Sequence, residues 1–241
     1  MIHFRTGDGM LVPAVTADQM REIDRIAVDE TGPNLFQMME NAGRNLATLT
    51  IDLLGTDWRE AKIVVLAGTG GNGGGGICAA RHLANHGANV ALVLADPTGL
   101  GEVPRWQQTI YENTGGRDAD DPDPLQPDLI IDALIGYGLQ SAPRGRFAQF
   151  IRWANASGHQ ILALDVPSGI DATTGEAPGE VIQAAWTLTL ALPKTGLLPQ
   201  RTGALYLADI GIPEKTYRRA NIHYRSPFGA SYVIRLLATS S

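Results

Sequence analysis

At 241 residues and 44% hydrophobic composition, the chain is long enough for one α/β domain with a large core. A formal net charge of −6 with no Lys/Arg run excludes a nucleic-acid footprint. Apolar runs of strand length exclude a transmembrane helix, and the N-terminus lacks a signal-peptide core, so a soluble, cytoplasmic protein is expected; the single cysteine, Cys78, excludes an internal disulfide.

Thr16-Ala17-Asp18-Gln19 reads as a capping box opening a helix, with Met20, Ile23, Ile26 and Ala27 on one face. A second helix is expected after Asn34, carrying Leu35, Met38, Met39, Ala42, Leu46 and Leu49 at helical spacing. The two methionines read as core, and Glu40-Asn41 as an exposed-looking interruption. From Lys62 onward, strands are expected at Ile63 to Ala67, Val90 to Leu94, Leu129 to Ala133, Ile161 to Leu164 and Trp186 to Leu190, alternating with amphipathic helices. Their continuous apolar character predicts burial on both faces, hence a mostly parallel sheet in a doubly wound α/β fold. Arg117 to Pro124, rich in Asp and Pro, reads as a solvated loop within one domain spanning 1–241.

The first of these strands runs into Gly68 to Gly76, seven glycines with Asn72 among them, followed by an expected helix from Ile77 to His86. Packing alone would need one or two glycines, so the run reads as a ligand loop whose backbone N–H groups meet an anion. Gly68-Thr69-Gly70-Gly71-Asn72-Gly73 fits G-x-G-x-x-G, a weak signal in so dense a run, and no Gly-Lys-Ser/Thr follows to bind an NTP. Cys78, expected to begin the helix, reads as a packed small side chain, and His82 and His86 as surface or packing histidines.

Ligands of open parallel sheets bind beyond the C-terminal strand ends. Three such ends carry the Gly-rich loop with Asn72, Asp132 followed by Gly136-Tyr137-Gly138, and Asp165-Val166-Pro167-Ser168-Gly169. Each carboxylate alone fits a helix cap or turn equally well; their convergence points to a site. Oxygen-only donors suit a hard cation or a polyol and phosphate ligand, not zinc or copper. Ser168 lacks the G-x-S-x-G context of an activated nucleophile, and Asp165 is expected to be an exposed strand-end carboxylate.

Together these residues resemble the YjeF N-terminal domain family, the NAD(P)H-hydrate epimerases, over about Val15 to Pro213. The resemblance rests on Thr16 to Met20, Met39-Glu40-Asn41-Ala42-Gly43-Arg44, the Gly-rich run, Asp132 to Gly138, Leu164 to Asp171 and Pro193-Lys194-Thr195-Gly196. It implies a Rossmann-like three-layer αβα sandwich, a homodimer, and interconversion of the R and S epimers of NADHX and NADPHX, with a separate dehydratase acting on the S form. It further implies potassium held by Asn72, Asp132 and Ser168. The implied substrate contacts are Gly71, Asn72, Gly73, Gly74 and Gly75, then Gly136, Tyr137, Gly138, Leu139, Gln140, Ser141 and Ala142, and Asp165, which is also the leading catalytic candidate ahead of Asp132 and Lys194. The family loop reads Gly-Pro-Gly-Asn-Asn-Gly-Gly-Asp-Gly; this chain has Thr69, Gly71 and Gly75 in place of the proline, the first asparagine and the aspartate. Restoring that aspartate is expected to raise turnover. The alternative is a catalytically weak nucleotide-binding or scaffold module of the same fold. An NAD-linked oxidoreductase ranks last, lacking an evident hydride-acceptor site and a separate substrate domain.

Overall fold

The computed structural model describes residues 2–240. In chain order the elements are β1 (Ile2–Arg5), β2 (Leu11–Val12), α1 (Ala17–Ile26), α2 (Leu35–Leu54), β3 (Lys62–Ala67), α3 (Gly71–Asn85), β4 (Asn89–Leu94), α4 (Glu102–Glu112) and β5 (Arg117–Asp118). Then follow β6 (Leu129–Ala133), α5 (Gly145–Ala156), β7 (Gln160–Leu164), β8 (Trp186–Leu190), α6 (Pro199–Thr202), β9 (Ala204–Ala208), α7 (Glu214–Arg219) and β10 (Val233–Ser240).

The strands form one sheet in the order β2-β1-β10-β9-β8-β7-β6-β3-β4-β5. All pairs from β9 to β5 are parallel, whereas β10, β1 and β2 add antiparallel pairs at the other edge. The sheet therefore runs past the expected core of 15–213 at both ends, and Phe4 of β1 is fully buried. Alternate residues of the central strands face opposite layers. Ile63, Val65 and Ala67 pack with Leu46 of α2 and Ile77 and Leu83 of α3, while Val64 and Leu66 pack with Phe150, Ile151 and Ala154 of α5. This is the three-layer αβα sandwich that the sequence predicts.

The expected capping box at Thr16 forms, and a second one stands at Asn34, where a helix start alone is expected. Thr16 Oγ1 accepts from Gln19 N at 3.2 Å and Gln19 Oε1 accepts from Thr16 N at 2.9 Å; Asn34 and Gln37 make the same reciprocal pair at the start of α2. The α1 face is buried as predicted, but Leu35 of α2 is exposed. Residues Arg117–Asp118 form the short edge strand β5 where a loop alone is expected.

The glycine run departs most from expectation: α3 begins at Gly71, not at Ile77, and none of Gly70 to Gly76 has a positive φ. These glycines serve close approach. A Cβ on Gly73 would collide with the Gly68 carbonyl, one on Gly74 with Met39 Sδ, and one on Gly76 with Ala133 Cβ. Packing thus accounts for most of the run, because α3 lies unusually near both β6 and α2.

Glu40 is not exposed as expected but faces α3. Its carboxylate accepts from Arg81 Nη2 at 2.5 Å and lies 2.9 Å from His82 Nε2. Arg81 Nη2 also lies 3.3 Å from Cys78 Sγ and 3.1 Å from His82 Nε2, so the guanidinium is the cation among three side chains that otherwise resemble a metal-ligand set. Cys78 sits inside α3 rather than at its start, and burial pushes its thiol up to about 12. Burial also raises the Glu40 carboxyl, but Arg81 and His82 outweigh it and hold it down to about 2. A depressed carboxyl stabilises the folded state above its unfolded value, here the ordinary 4.5, and loses that contribution as pH falls towards 2. Glu40→Gln is therefore expected to destabilise at neutral pH by at most about 1 kcal/mol after solvent screening, with the difference vanishing in acid. Urea midpoints at pH of about 7 and about 3 check this; an undiminished difference in acid would refute it.

Candidate active site

The chain runs from β3 towards β5 in one direction and from β6 towards β9 in the other, so the topological switch point lies between β3 and β6. A cleft of about 780 Å3 opens beyond these strand ends. Its walls include Thr69, Gly70, Gly71 and Asn72 at the start of α3, Gly136 to Gly138 and Gln140 after β6, Asp165 after β7, and Lys194 after β8. Asp24 of α1 and the methionines Met38 and Met39 of α2 close the opposite side.

At its back lies an ion pair. Lys194 Nζ donates to Asp165 Oδ1 and, at 2.9 Å, to the Leu190 carbonyl. Both side chains are almost wholly buried, 1% and 4% exposed, which corrects the expectation of an exposed Asp165. Asp165 stands at φ 66, in the left-handed region that aspartate tolerates better than most residues. Its other oxygen accepts from Tyr137 N at 3.1 Å. The turn is held by Asp165 N donating to the Leu188 carbonyl at 2.7 Å.

Asp132 and Ser168 meet beneath the cleft, both fully buried. The Asp132 carboxylate accepts from Ser168 Oγ at 2.6 Å, Ser168 N at 2.8 Å and Leu134 N at 3.2 Å. Burial pushes its carboxyl up to about 6, with those donors pulling the other way. Ser168 Oγ also accepts from Ile135 N at 2.8 Å, so Ser168 ties the end of β6 to the end of β7. Beside the next residue, Gly136, lies Asn72, whose amide oxygen and nitrogen are buried and have no hydrogen-bond partner. A Cβ on Gly136 would stand 3.1 Å from both Asn72 Oδ1 and Asp165 Oδ2, so the glycine keeps open the space between an amide and a carboxylate. Buried polar groups are almost always satisfied, so the bare Asn72 amide marks a place for a polar or cationic guest.

The structure thus gathers Gly71, Asn72, Gly136, Tyr137, Gly138, Gln140 and Asp165 on the cleft wall. Gly73, Gly74 and Gly75 are instead buried inside α3. Leu139, Ser141 and Ala142 continue the loop away from the lining residues, with Ser141 exposed. The first helical bond of α3 runs from Gly74 N to the Gly70 carbonyl, leaving the preceding N–H groups of that turn without helical partners. Sequence reasoning missed Asp24, whose Oδ2 accepts from the Tyr137 hydroxyl at 2.5 Å. Its one available signal is its place beside Ile23 on the buried flank of an amphipathic helix.

Residues 35–196 match the family described as YjeF-related protein N-terminus. This chain belongs to that family. An NAD(P)H-hydrate epimerase of Dehalogenimonas lykanthroporepellens is 55% identical over 241 residues, covering 99% of this chain and 98% of its own. One of Weissella koreensis is 35% identical over 224 residues, covering 90% of this chain and 98% of its own. A bifunctional NAD(P)H-hydrate repair enzyme of Moorella thermoacetica is 37% identical over 216 residues; the match covers 83% of this chain but only 41% of that longer protein. The fold is similar to the crystal structure of yeast ynu0, at a TM-score of 0.82 and 20% identity, over 93% of this chain and all of that one.

Proposed function

We propose that this protein is an NAD(P)H-hydrate epimerase, interconverting the R and S forms of NADHX and NADPHX. The observation that carries the chemistry is the buried Asp165–Lys194 pair at the back of a cleft of ligand-binding size. The names of the relatives that span the whole chain support the substrate class. Free N–H groups at the start of α3 suit the dinucleotide's phosphates. Inverting C6 of the hydrated ring requires loss and re-addition of its hydroxyl, or ring opening, and either route needs a proton acceptor and a proton donor beside that carbon. Asp165 is the acceptor in this reading, with Lys194 balancing its charge and Tyr137 N fixing the free oxygen.

The reading extends to a potassium ion. Asn72, Asp132 and Ser168 would hold it, and the unpartnered Asn72 amide supports the fit, as does the all-oxygen donor set. Bound by these residues, an ion would supply positive charge to the cleft, and its ligands come from α3 and from the chain at and after β6 and β7. In the same reading the protein works in the cytoplasm as a homodimer beside a separate dehydratase; no described helix is long and apolar enough to cross a membrane. Gly75 in place of the family's aspartate favours a second reading, a nucleotide-binding or scaffold module without turnover.

The test follows the R/S ratio of NADHX by chromatography with and without the protein. Equilibration is expected to be faster with it, and binding without acceleration would establish the second reading instead. Potassium chloride is expected to raise both rate and melting temperature above sodium chloride at matched ionic strength, and Asn72→Ala to abolish that difference. Equal responses to the two salts would remove the ion from the site.

A further inference from the structure

We propose that Asp24 and Tyr137 together form the second proton-carrying group of this cleft, the Tyr137 hydroxyl supplying the proton when the substrate hydroxyl leaves and Asp165 taking one from the water that replaces it. The proposal rests on the epimerase reading above, which names an acceptor but no donor.

One tyrosine spans two carboxylates. Its backbone N–H donates to Asp165 Oδ2 at 3.1 Å, and its hydroxyl donates to Asp24 Oδ2 at 2.5 Å. Its ring also faces Lys194, whose Nζ lies 5.7 Å from the ring centre. All four residues line the same cleft. Asp24 makes no cap and no described ion pair, so Tyr137 is its partner among the described residues. A carboxylate placed there on the inner flank of α1, beside the wholly buried Ile23, has no packing role that an apolar residue would not fill better.

The two carboxylates occupy unlike surroundings. Asp165 is salt-bridged to Lys194. Asp24 has no such partner: burial raises its carboxyl, Asp165 adds to the rise, and the Tyr137 hydroxyl and Lys194 only partly offset it. The Tyr137 phenol is raised too, by burial first and then by Asp24 and Asp165, with Arg21 opposing. Tyr217 is a further titratable group that feels Asp24. A buried carboxyl with no counter-charge beside it is the one suited to hold a proton for donation.

Once Asp24 is protonated the hydrogen bond reverses, the carboxyl O–H donating to the phenol oxygen and freeing the Tyr137 proton for the cleft. The C6–O bond then breaks as the Tyr137 hydroxyl proton passes to the departing hydroxyl, which leaves as water, and the Asp24 proton moves to the phenol oxygen. The ring nitrogen's lone pair forms the N1=C6 bond. A water adds to C6 on the other face, the N1=C6 pair returning to the ring nitrogen and the water's proton passing to Asp165; solvent then takes that proton from Asp165 and returns one to Asp24. One water leaves and one enters, and the reverse epimerisation exchanges the two roles.

Tyr137→Phe keeps the ring and removes only the hydroxyl. It and Asp24→Asn are each expected to lower kcat for NADHX epimerisation by at least about 100-fold with KM within about threefold of the parent. The double variant is expected to be no slower than the slower single one, since the pair acts as a unit. The parent's kcat is expected to fall as pH rises through the titration of the pair, because the donor must hold its proton, and Tyr137→Phe to lose that alkaline limb. Asp24→Glu is expected to recover part of the rate lost in Asp24→Asn. A Tyr137→Phe protein within about threefold of the parent's kcat, or one that keeps the alkaline limb, overturns the proposal while leaving the epimerase reading in place. Should Asp24→Asn fail to fold, Tyr137→Phe decides alone. A parent that does not epimerise NADHX overturns both readings.

Discussion

Asp165→Asn is expected to slow NADHX epimerisation by at least about 100-fold, the ordinary scale for loss of a positioned proton acceptor. The same substitution is expected to weaken the fold, contrary to what a strand-end carboxylate suggests in the sequence. Lys194 is 1% exposed and finds its counter-charge in Asp165, so removing the carboxylate charge leaves a buried ammonium with neutral partners alone, the new amide oxygen and the Leu190 carbonyl among them. Breaking a buried pair from one side costs about 3–5 kcal/mol. For a chain of 241 residues that corresponds to a drop in Tm on the order of 10 °C. The double variant Asp165→Asn, Lys194→Met is expected to recover most of the lost Tm and none of the lost activity, because it removes the unpaired charge without restoring the acceptor. Turnover within about threefold of the parent in Asp165→Asn would take Asp165 out of the chemistry. An unchanged Tm would show that the pair contributes nothing to stability.

The sequence carries the sandwich clearly because its central strands are short, continuous apolar runs, and a strand covered on both faces has no other pattern to show. The antiparallel end of the sheet was not legible: β1 joins the sheet only by pairing with β10, more than 200 residues away in the chain, so no local pattern announces it. The strand ends with Asn72, Asp132, Asp165 and Ser168 were legible because parallel sheets put every such end on one side. What Asp165 and Asn72 do there was not. Whether a carboxylate is paired or an amide left bare depends on a side chain from elsewhere, here Lys194 and the backbone beside Gly136. Asp24 and Glu40 share a reason for escaping notice. A single acid on an amphipathic helix reads as its solvated side unless the residue it meets, Tyr137 or Arg81, is already known.

The glycine run shows how one pattern supports two physical readings with opposite consequences. Read as a loop, Gly75 is a family aspartate lost, and Gly75→Asp restores function. In the structure Gly75 is the fifth residue of α3, helical and buried, and a Cβ there would stand 2.8 Å from Leu164 Cδ2 and 3.8 Å from Ala42 Cβ. The Leu164 methyl is the far end of a flexible side chain and can give way, so Gly75→Ala is expected to cost little. A carboxylate there would displace that methyl and gain no donor from Leu164 or Ala42, and an unpaired buried charge is among the most destabilising changes a single substitution can make. Gly75→Asp is therefore expected to lose about 3 kcal/mol, a Tm drop of about 6–12 °C, without exceeding the parent's turnover. Comparison with Gly75→Ala isolates the charge from the crowding. An acid raised by burial leaves the folded state relatively more stable when protonated, so the gap between the two variants is expected to narrow as pH falls from about 8 to about 4. A Gly75→Asp protein that melts with the parent and turns over about tenfold faster would mean that the carboxylate reaches a partner beyond Leu164 and Ala42. The chain would then have lost at Gly75 a working part of the site and not merely gained a closer packing of α3 on its neighbours.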